Sequence, residues 1–329
     1  MNFGATILDA TGTRLSAEEK AFFAQANPFG FILFARNIEN PDQVRALTSE
    51  MREAVGRDAP ILIDQEGGRV QRMRAPHWRE WAPAREEIAR AGAHAEEVMY
   101  LRSRIMAYEL REAGVDTNCA PLVDVICADT HEFLTHRCYG DDPVRVAQIG
   151  RAVADGLLAG GVLPVVKHMP GHGRGTVDSH FALPQTGASV EDLTRTDFAP
   201  FKALNDLPMG MTGHVVFSAM DDKPATLSPA VMSHIRDEIG FDGLIMTDDI
   251  TMKALDLGLE EIARGALEAG CDVVLLCNAA LEDRRRVADA SGQMSDAAQA
   301  RAERALAARK TPDEVDILAL DAKLVARIA

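Results

Sequence analysis

Short apolar runs alternate with longer amphipathic segments along most of the chain. Each apolar run has the length of a buried strand, and each longer segment carries apolar residues at helical spacing. The predicted strands are residues 5–8, 30–34, 61–64, 117–122, 163–167, 209–214, 243–247 and 272–276. The predicted helices are residues 41–55, 93–113, 141–158, 190–204, 229–238 and 259–269. This alternation is typical of an α/β protein.

Strands that alternate with helices over most of a chain predict a closed parallel (β/α)8 barrel, the TIM barrel. An open, doubly wound sheet is the main alternative, but residues 9–13, after the first strand, lack the pattern G-x-G-x-x-G. No Pro/Ser-rich linker divides the chain. We therefore expect residues 1–329 to form a single (β/α)8 catalytic domain, with a helical C-terminal tail from about residue 310.

Polar residues recur at the ends of the predicted strands. They are Asp9, Asp64-Gln65-Glu66, Asp124, Lys167-His168, His214 and Asp248-Asp249. In a (β/α)8 barrel the C-terminal strand ends and the loops that follow them form the active site. Charges with a purely structural role would scatter over the helix faces instead. The recurrence therefore predicts a polar pocket and an enzyme.

The run from Lys167 to His180, KHMPGHGRGTVDSH, is the densest of these clusters. Its glycines and Pro170 forbid a regular helix, so we expect a loop that follows a buried strand. Within it, Asp178 and His180 are two residues apart, and in an extended loop the carboxylate can reach the imidazole. Such a neighbour orients the ring and favours its charged form, which suits a proton donor near neutral pH.

Two further clusters contain carboxylates. Asp248 and Asp249 follow a predicted strand, where adjacent residues point to opposite faces. We expect one of them to face the barrel axis and the other to brace the loop or cap the next helix. The run 64–72, DQEGGRVQR, combines an acidic residue, a glycine pair and arginines, which suits a sugar with vicinal hydroxyls. A structural Asp–Arg network is the alternative for this run.

Composition and charge narrow the class of protein. The net charge is −15 and the isoelectric point about 5.1, which argues against nucleic acid or an anionic membrane as a partner. The five cysteines include no C-x-x-C pair, so neither a disulfide framework nor a zinc ribbon is predicted. The first residues lack a basic region and are interrupted by Asp9, unlike a signal peptide. We expect a cytoplasmic protein, a monomer or weak dimer, whose partner is a small molecule.

Four motifs resemble glycoside hydrolase family 3, specifically its bacterial β-N-acetylglucosaminidase branch. They are residues 63–72 (IDQEGGRVQR), 167–173 (KHMPGHG), 178–180 (DSH) and 247–249 (TDD). Their order and spacing agree with the family, and the likeness covers most of the chain. The resemblance implies a single barrel domain and a retaining, two-step hydrolysis that uses no metal and no organic cofactor.

The resemblance also implies roles for individual residues. Asp248 is the implied nucleophile, and His180 is the implied acid/base with Asp178 as its partner. The residues implied to bind the sugar are Asp64, Arg72, Arg137, Lys167 and His168. Met169, Thr247 and Cys138 stand where Phe, Ser and Ser are common in the family.

The branch also implies a substrate. Its members resemble cytoplasmic enzymes of peptidoglycan recycling that remove N-acetylglucosamine from β-1,4-linked 1,6-anhydro-N-acetylmuramic acid and its peptides. This implication concerns the physiological role, which the residues alone do not specify.

Two other functions compete with this interpretation. A metal-dependent barrel hydrolase would use His168, His172, Asp178 and His180 as ligands, but Pro170 and the glycine after it prevent a helical i, i+4 histidine pair. A sugar-binding barrel without catalytic activity is the second. The joint presence of the implied nucleophile and the implied acid/base pair argues against it.

Overall fold

The structure, a computed structural model, describes residues 2–177 and 183–328. Its strands are β1 (Gly4–Asp9), β2 (Pro28–Leu33), β3 (Ile61–Ile63), β4 (Thr117–Asn118), β5 (Leu163–Met169), β6 (Gln185–Thr186), β7 (Met209–Thr212), β8 (Val216–Phe217), β9 (Leu244–Met246) and β10 (Val274–Leu276). Its α-helices are α1 (Ala17–Ala26), α2 (Pro41–Val55), α3 (Ala84–Ala91), α4 (Ala95–Glu112), α5 (Glu132–Thr135), α6 (Pro143–Ala159), α7 (Val190–Arg195), α8 (Ala199–Ala203), α9 (Pro229–Asp237), α10 (Leu259–Ala269), α11 (Leu281–Ser291), α12 (Asp296–Ala307) and α13 (Ile317–Ile328).

Eight of these strands form one parallel sheet in the order β10-β1-β2-β3-β4-β5-β7-β9. The two outer strands of this order also meet, because Met246 bridges to Val273 in parallel and the Asp272 N–H donates to the Ile245 carbonyl at 2.8 Å. The sheet is therefore a closed barrel with the helices around it. The predicted single-domain (β/α)8 fold is confirmed.

Local sequence signals account for the helix ends. The Asn40 side chain accepts a hydrogen bond from the Gln43 N–H at the start of α2, Pro41 occupies the first turn, and Gly56 ends the helix in the left-handed conformation. The predicted bounds of α2 and α10 are those observed. None of the helices within residues 2–177 and 183–328 has the length and apolar character of a membrane span.

The helix predicted over residues 190–204 was wrong as a single element. The structure has two short helices there, α7 and α8, joined by a turn at Thr196. Pro200 lies in the first turn of α8, where its missing N–H costs nothing, but inside a continuous helix its ring would clash with the carbonyl of Thr196.

The pair β6–β8 could not be predicted, because two-residue strands carry no periodicity.

The apolar core has two layers that follow the alternation of strand residues. Ile7, Val165 and Met209 belong to the cluster that fills the barrel, whereas Leu8 and Val166 belong to the larger cluster between the strands and the helices. Buried residues of α12 join the inner cluster, and the Met294 N–H before this helix bonds to the carbonyl of the residue preceding β1. The N-terminal end of the barrel is thus closed, so a ligand has access from the other end.

Candidate active site

A cavity of about 770 Å³ opens at the C-terminal ends of the barrel strands. Its wall includes Ile32, Phe34, Ala35, Arg36, Asp64, Arg69, Val70, Arg72, Phe133, Leu134, Arg137, Lys167, His168, His172, Met211, Asp248, Asp249, Thr251, Met252, Lys253, Leu275, Cys277 and Asn278. The size and the few convergent polar groups suit one or two sugar rings. This is the end of the barrel at which (β/α)8 enzymes have their active sites.

An ionic network forms the floor of the cavity. The Lys167 ammonium lies 2.9 Å from Asp64 Oδ1 and 2.7 Å from Glu66 Oε1, and Arg72 donates to Asp64 Oδ2 at 3.0 Å. Arg137 binds both oxygens of Glu66, with Nε–Oε2 at 2.9 Å and Nη2–Oε1 at 2.8 Å. Two carboxylates thereby fix three cations, so the network is rigid before any ligand binds.

The network holds its members in their charged forms. Burial opposes ionisation of Asp64, but Lys167 and Arg72 outweigh it and keep its pKa well below the usual range. Burial likewise opposes ionisation of Glu66, yet Arg137 and Lys167 lower its pKa to about 2. The same carboxylates raise the pKa of Lys167 above its ordinary value against the effect of burial. These groups therefore offer fixed charges and hydrogen bonds, not proton transfer.

A second network joins β5 to the loop after it. Asp124 is completely buried, and its Oδ2 lies 2.7 Å from His168 Nδ1. Its Oδ1 accepts from the backbone N–H of His172 at 2.7 Å. Asp124 therefore orients the His168 ring, whose other side faces the cavity, and anchors the start of the loop.

The two neighbouring aspartates play different structural parts. Asp249 braces the loop, since its Oδ1 accepts from the N–H groups of Thr251 and Cys277 and its Oδ2 accepts from the Thr251 hydroxyl. Asp248 accepts at Oδ1 from the N–H of Asp249 at 2.8 Å, and its side chain makes no ion pair with a cation in residues 2–177 or 183–328. Both line the cavity, and burial raises the pKa of Asp249 to about 6. Asp248 thus carries the carboxylate available to a ligand.

Not every candidate falls on the cavity wall. Asp178 and His180 lie outside the described residues. Asp9 is buried in ion pairs with Arg36 and Arg284, and His214 is held by the Thr226 hydroxyl and the Asp249 carbonyl. Neither of these two strand-end residues lines the cavity, and each binds residues of neighbouring segments instead. Of the other strand-end candidates, Asp64, Lys167, His168, Asp248 and Asp249 line the cavity, whereas Gln65, Glu66 and Asp124 do not.

Two residues of the site were not singled out by sequence reasoning, and two others have roles that the sequence did not indicate. Glu66 belongs to the 64–72 run but does not line the cavity, and it binds Arg137 and Lys167, which do. His172 is 3% exposed, and its Nδ1 has no hydrogen-bond partner in the described part of the chain. Phe133 and Lys253 carry no motif that would have identified them. Only their place in the segments after β4 and β9 connects them to the site, with Phe133 in α5.

The donor set is that of a carbohydrate site. It offers carboxylates, guanidinium groups, an ammonium group and an oriented imidazole, which suit hydroxyl and amide groups of a sugar. Among residues 2–177 and 183–328, no group of three His, Cys, Asp or Glu side chains has the arrangement of a metal site. The free carboxylate of Asp248 beside this cluster can serve as a nucleophile or stabilise a cationic transition state.

Comparisons with known proteins agree with this chemistry. Residues 5–308 match the glycosyl hydrolase family 3 N-terminal domain. The chain is 38% identical over 279 residues to a β-hexosaminidase of Pseudomonas aeruginosa, covering 84% of this chain and 82% of that protein. It is also 38% identical over 277 residues to a β-hexosaminidase of Methylococcus capsulatus, covering 83% and 82%.

The fold comparison gives the same family. The crystal structure of native NagZ from Neisseria gonorrhoeae superposes with a TM-score of 0.84 at 30% identity, covering 100% of this chain and 96% of that one. A family 3 β-N-acetylglucosaminidase from Paenibacillus sp. gives a TM-score of 0.83 at 31% identity, covering 99% and 62%. With its barrel, its cavity and its matched motifs, the chain belongs to glycosyl hydrolase family 3 and is a glycoside hydrolase.

Proposed function

We propose that the protein is a retaining exo-β-N-acetylglucosaminidase that releases terminal N-acetylglucosamine. The observation that carries the proposal is the position of Asp248, a carboxylate without a cationic partner among the described residues, on the wall that also holds Asp64, Arg72, Lys167 and His168. Relatives at 35–38% identity are named β-hexosaminidases, which supports a 2-acetamido sugar. The cavity is closed at its floor, which supports cleavage from a chain end.

The proposed reaction has two steps. In the first, the Asp248 carboxylate attacks the anomeric carbon, the glycosidic bond breaks, and the leaving oxygen takes a proton from His180. In the second step, a water oxygen attacks the anomeric carbon, and His180 accepts a proton from that water. The bond between the anomeric carbon and the Asp248 carboxylate breaks. Asp178 orients the His180 ring and stabilises its charged form. Two inversions leave the product with the β configuration.

The floor network supplies binding in this proposal. Asp64 accepts hydrogen bonds from sugar hydroxyls, while Arg72, Arg137, Lys167 and His168 donate to hydroxyl and amide oxygens. Because their partners are already fixed, the groups need no reorganisation when the sugar binds. The physiological substrate we propose is N-acetylglucosamine β-1,4-linked to 1,6-anhydro-N-acetylmuramic acid and its peptides, in cytoplasmic cell-wall recycling. That assignment rests on the resemblance of the motifs.

A chemical trap tests the nucleophile and the stereochemistry together. The purified protein is incubated with a fluorinated N-acetylglucosaminyl donor, digested and examined by mass spectrometry. The expected result is one glycosylated peptide, modified at Asp248. Proton NMR of a normal reaction should show the β anomer first. An adduct on another residue would refute the nucleophile, and an initial α anomer would refute retention.

Variants separate the two catalytic roles. Asp248→Ala should reduce kcat on the order of 10⁴-fold on every substrate, because the glycosyl-enzyme cannot form. His180→Ala should reduce kcat/KM on the order of 10³-fold for a disaccharide but roughly tenfold or less for a nitrophenyl glycoside, whose good leaving group needs no proton. Initial rates on both substrates are the measurement. Equal losses on the two substrates would contradict the acid/base role of His180.

A further inference from the structure

Two cations at the mouth of the cavity have no part in the floor network. Arg69 and Lys253 both line the cavity, and both are exposed, whereas Lys167 and Arg137 at the floor are 2% and 8% exposed. The difference in burial separates an inner region, closed by fixed charges, from an outer region open to solvent. A sugar cleaved from a chain end occupies the inner region, so the leaving group lies in the outer one.

The two cations belong to chain segments that follow opposite strands of the barrel. Arg69 follows β3 and Lys253 follows β9. In the closed order β10-β1-β2-β3-β4-β5-β7-β9, these strands are four positions apart in a ring of eight. The segments that carry Arg69 and Lys253 thus begin on opposite sides of the barrel axis, along which the leaving group emerges.

The charges of both residues are uncompensated within the described chain. The Arg69 guanidinium lies 4.7 Å from the centroid of the Phe133 ring, an aromatic contact that positions the cation and leaves its charge in place. Lys253 makes no side-chain hydrogen bond or ion pair with residues 2–177 or 183–328. By contrast, Arg36 on the same wall pairs with Asp9, and Arg72 pairs with Asp64. Arg69 and Lys253 therefore keep charges that can form charged hydrogen bonds with an anionic group of a ligand.

The net charge of the whole molecule bears on how Arg69 and Lys253 would affect the binding of an anionic substrate. With a net charge of −15, the protein repels an anionic substrate at long range. Two exposed cations at the mouth of the cavity reduce this repulsion locally. An enzyme whose leaving group carries a carboxylate gains both attraction and orientation, since guanidinium and ammonium groups donate charged hydrogen bonds to carboxylates.

We propose that Arg69 and Lys253 form a leaving-group subsite that binds a carboxylate on the departing half of the substrate. Phe133 is a positioning residue of this subsite, because it supports the Arg69 guanidinium. The subsite rests on the proposed function and deepens it. It assigns the specificity for an acidic leaving group to two residues that contact neither the cleaved sugar nor the reacting atoms.

The test compares two disaccharides that differ in one charge. One is N-acetylglucosamine β-1,4-linked to 1,6-anhydro-N-acetylmuramic acid, and the other is the same disaccharide with its carboxyl group converted to the neutral amide. The quantity measured is the ratio of kcat/KM for the acid to kcat/KM for the amide. We expect Arg69→Gln and Lys253→Gln each to lower this ratio roughly twofold to fivefold, and the double variant roughly tenfold, as for exposed ion pairs.

Lys310→Gln is the matched control. Lys310 is exposed, and its carbonyl lies against Gly161, just before β5 at the closed end of the barrel. The Lys310→Gln substitution removes the same charge far from the cavity, so the ratio of kcat/KM for the acid to kcat/KM for the amide should stay at the wild-type value. An equal fall in this control would overturn the subsite and assign the effect to the net charge of the protein. The ratio is internal to each variant, so partial misfolding does not mimic the expected result.

The outcomes also distinguish the subsite from the function on which it rests. If the wild type hydrolyses neither disaccharide and no nitrophenyl N-acetylglucosaminide, the function and the subsite are both overturned. If it hydrolyses both disaccharides and the ratio is unchanged in the double variant, the subsite is overturned and the function stands.

Discussion

At the scale of the residue, Glu66 shows how one buried carboxylate organises a binding site that it does not enter. It binds both nitrogens of the Arg137 fork and also Lys167, and its own side chain is 8% exposed. We expect Glu66→Gln to raise KM about tenfold with a smaller change in kcat, since the loss of a charged hydrogen bond there frees the two cations from their fixed positions. Steady-state kinetics on a nitrophenyl N-acetylglucosaminide measures both constants.

Glu80→Gln provides a control with the same chemical change. Glu80 pairs with Arg74, but both side chains are largely exposed, at 49% and 41%. An exposed pair contributes little to stability, so KM and kcat should match the wild type. A Glu66→Gln enzyme that loses kcat and keeps KM would contradict the positioning role, because that pattern indicates an interaction made only in the transition state.

Single residues also show where sequence reasoning ends. Asp64 and Lys167 could be predicted, because each is the last residue of a predicted strand and parallel strands end at one side of a barrel. The pairing of Asp124 with His168 could not, since it joins residues 44 positions apart and depends on how two strands pack. Lys253 could not either, because an exposed lysine carries no signal until its place on the cavity wall is known.

At the scale of the element, the loop after β5 is held by close backbone packing. A Cβ atom on Gly173 would lie 1.8 Å from the Val125 carbonyl oxygen, and the Gly173 carbonyl accepts a hydrogen bond from the Thr130 hydroxyl at 2.5 Å. Gly173→Ala must therefore shift the loop that precedes residues 178–180 in the chain. We expect kcat/KM to fall on the order of 10²-fold, since displacements of about 1 Å have such effects.

Gly187→Ala is the corresponding control in the same part of the chain. Nothing lies within 4 Å of a Cβ atom built on Gly187, which is exposed and has no positive φ. Its kinetics and its melting temperature should match the wild type. If Gly173→Ala retained full activity with an unchanged melting temperature, the packing against residue 125 would not be important for the loop.

Elements with strong local signals were predicted to the residue, and others were not. Helix α2 has a capping Asn40 before Pro41 and a left-handed Gly56 after it, so local rules determine both ends. Residues 190–204 have helical periodicity throughout, but Pro200 divides them into two helices. Periodicity therefore predicted helical structure in this segment, and the backbone chemistry of one residue determined where the helices begin and end.

At the scale of the whole molecule, closure of the barrel follows from many weak signals that agree. Each strand alone was ambiguous, yet their alternation with helices excluded most other architectures. The alternation of strands and helices does not predict the electrostatic environment inside the closed barrel. That environment arises only when strand ends from distant parts of the chain meet. That environment gives two buried groups opposite effects on stability.

These groups are His172 and Asp249. Burial lowers the pKa of His172 to about 4, below its unfolded value of about 6.5, so the folded state binds fewer protons between these values. Burial raises the pKa of Asp249 to about 6, above its unfolded value of about 3.9, so the folded state binds more protons between about 4 and 6. His172 therefore makes the folded state more stable as pH rises through this range, and Asp249 makes it less stable.

We expect the two contributions to offset each other in the wild type, and variants should reveal them separately. In Asp249→Asn the free energy of unfolding should fall on acidification from pH 6 to pH 4.5, by up to about 1.4 kcal/mol per pH unit more than in the wild type. In His172→Gln it should rise on acidification relative to the wild type, by a similar amount. Urea unfolding at closely spaced pH values measures both slopes. Parallel slopes in all three proteins would contradict the assignment, because each substitution removes one titrating group and must change the number of protons taken up on unfolding.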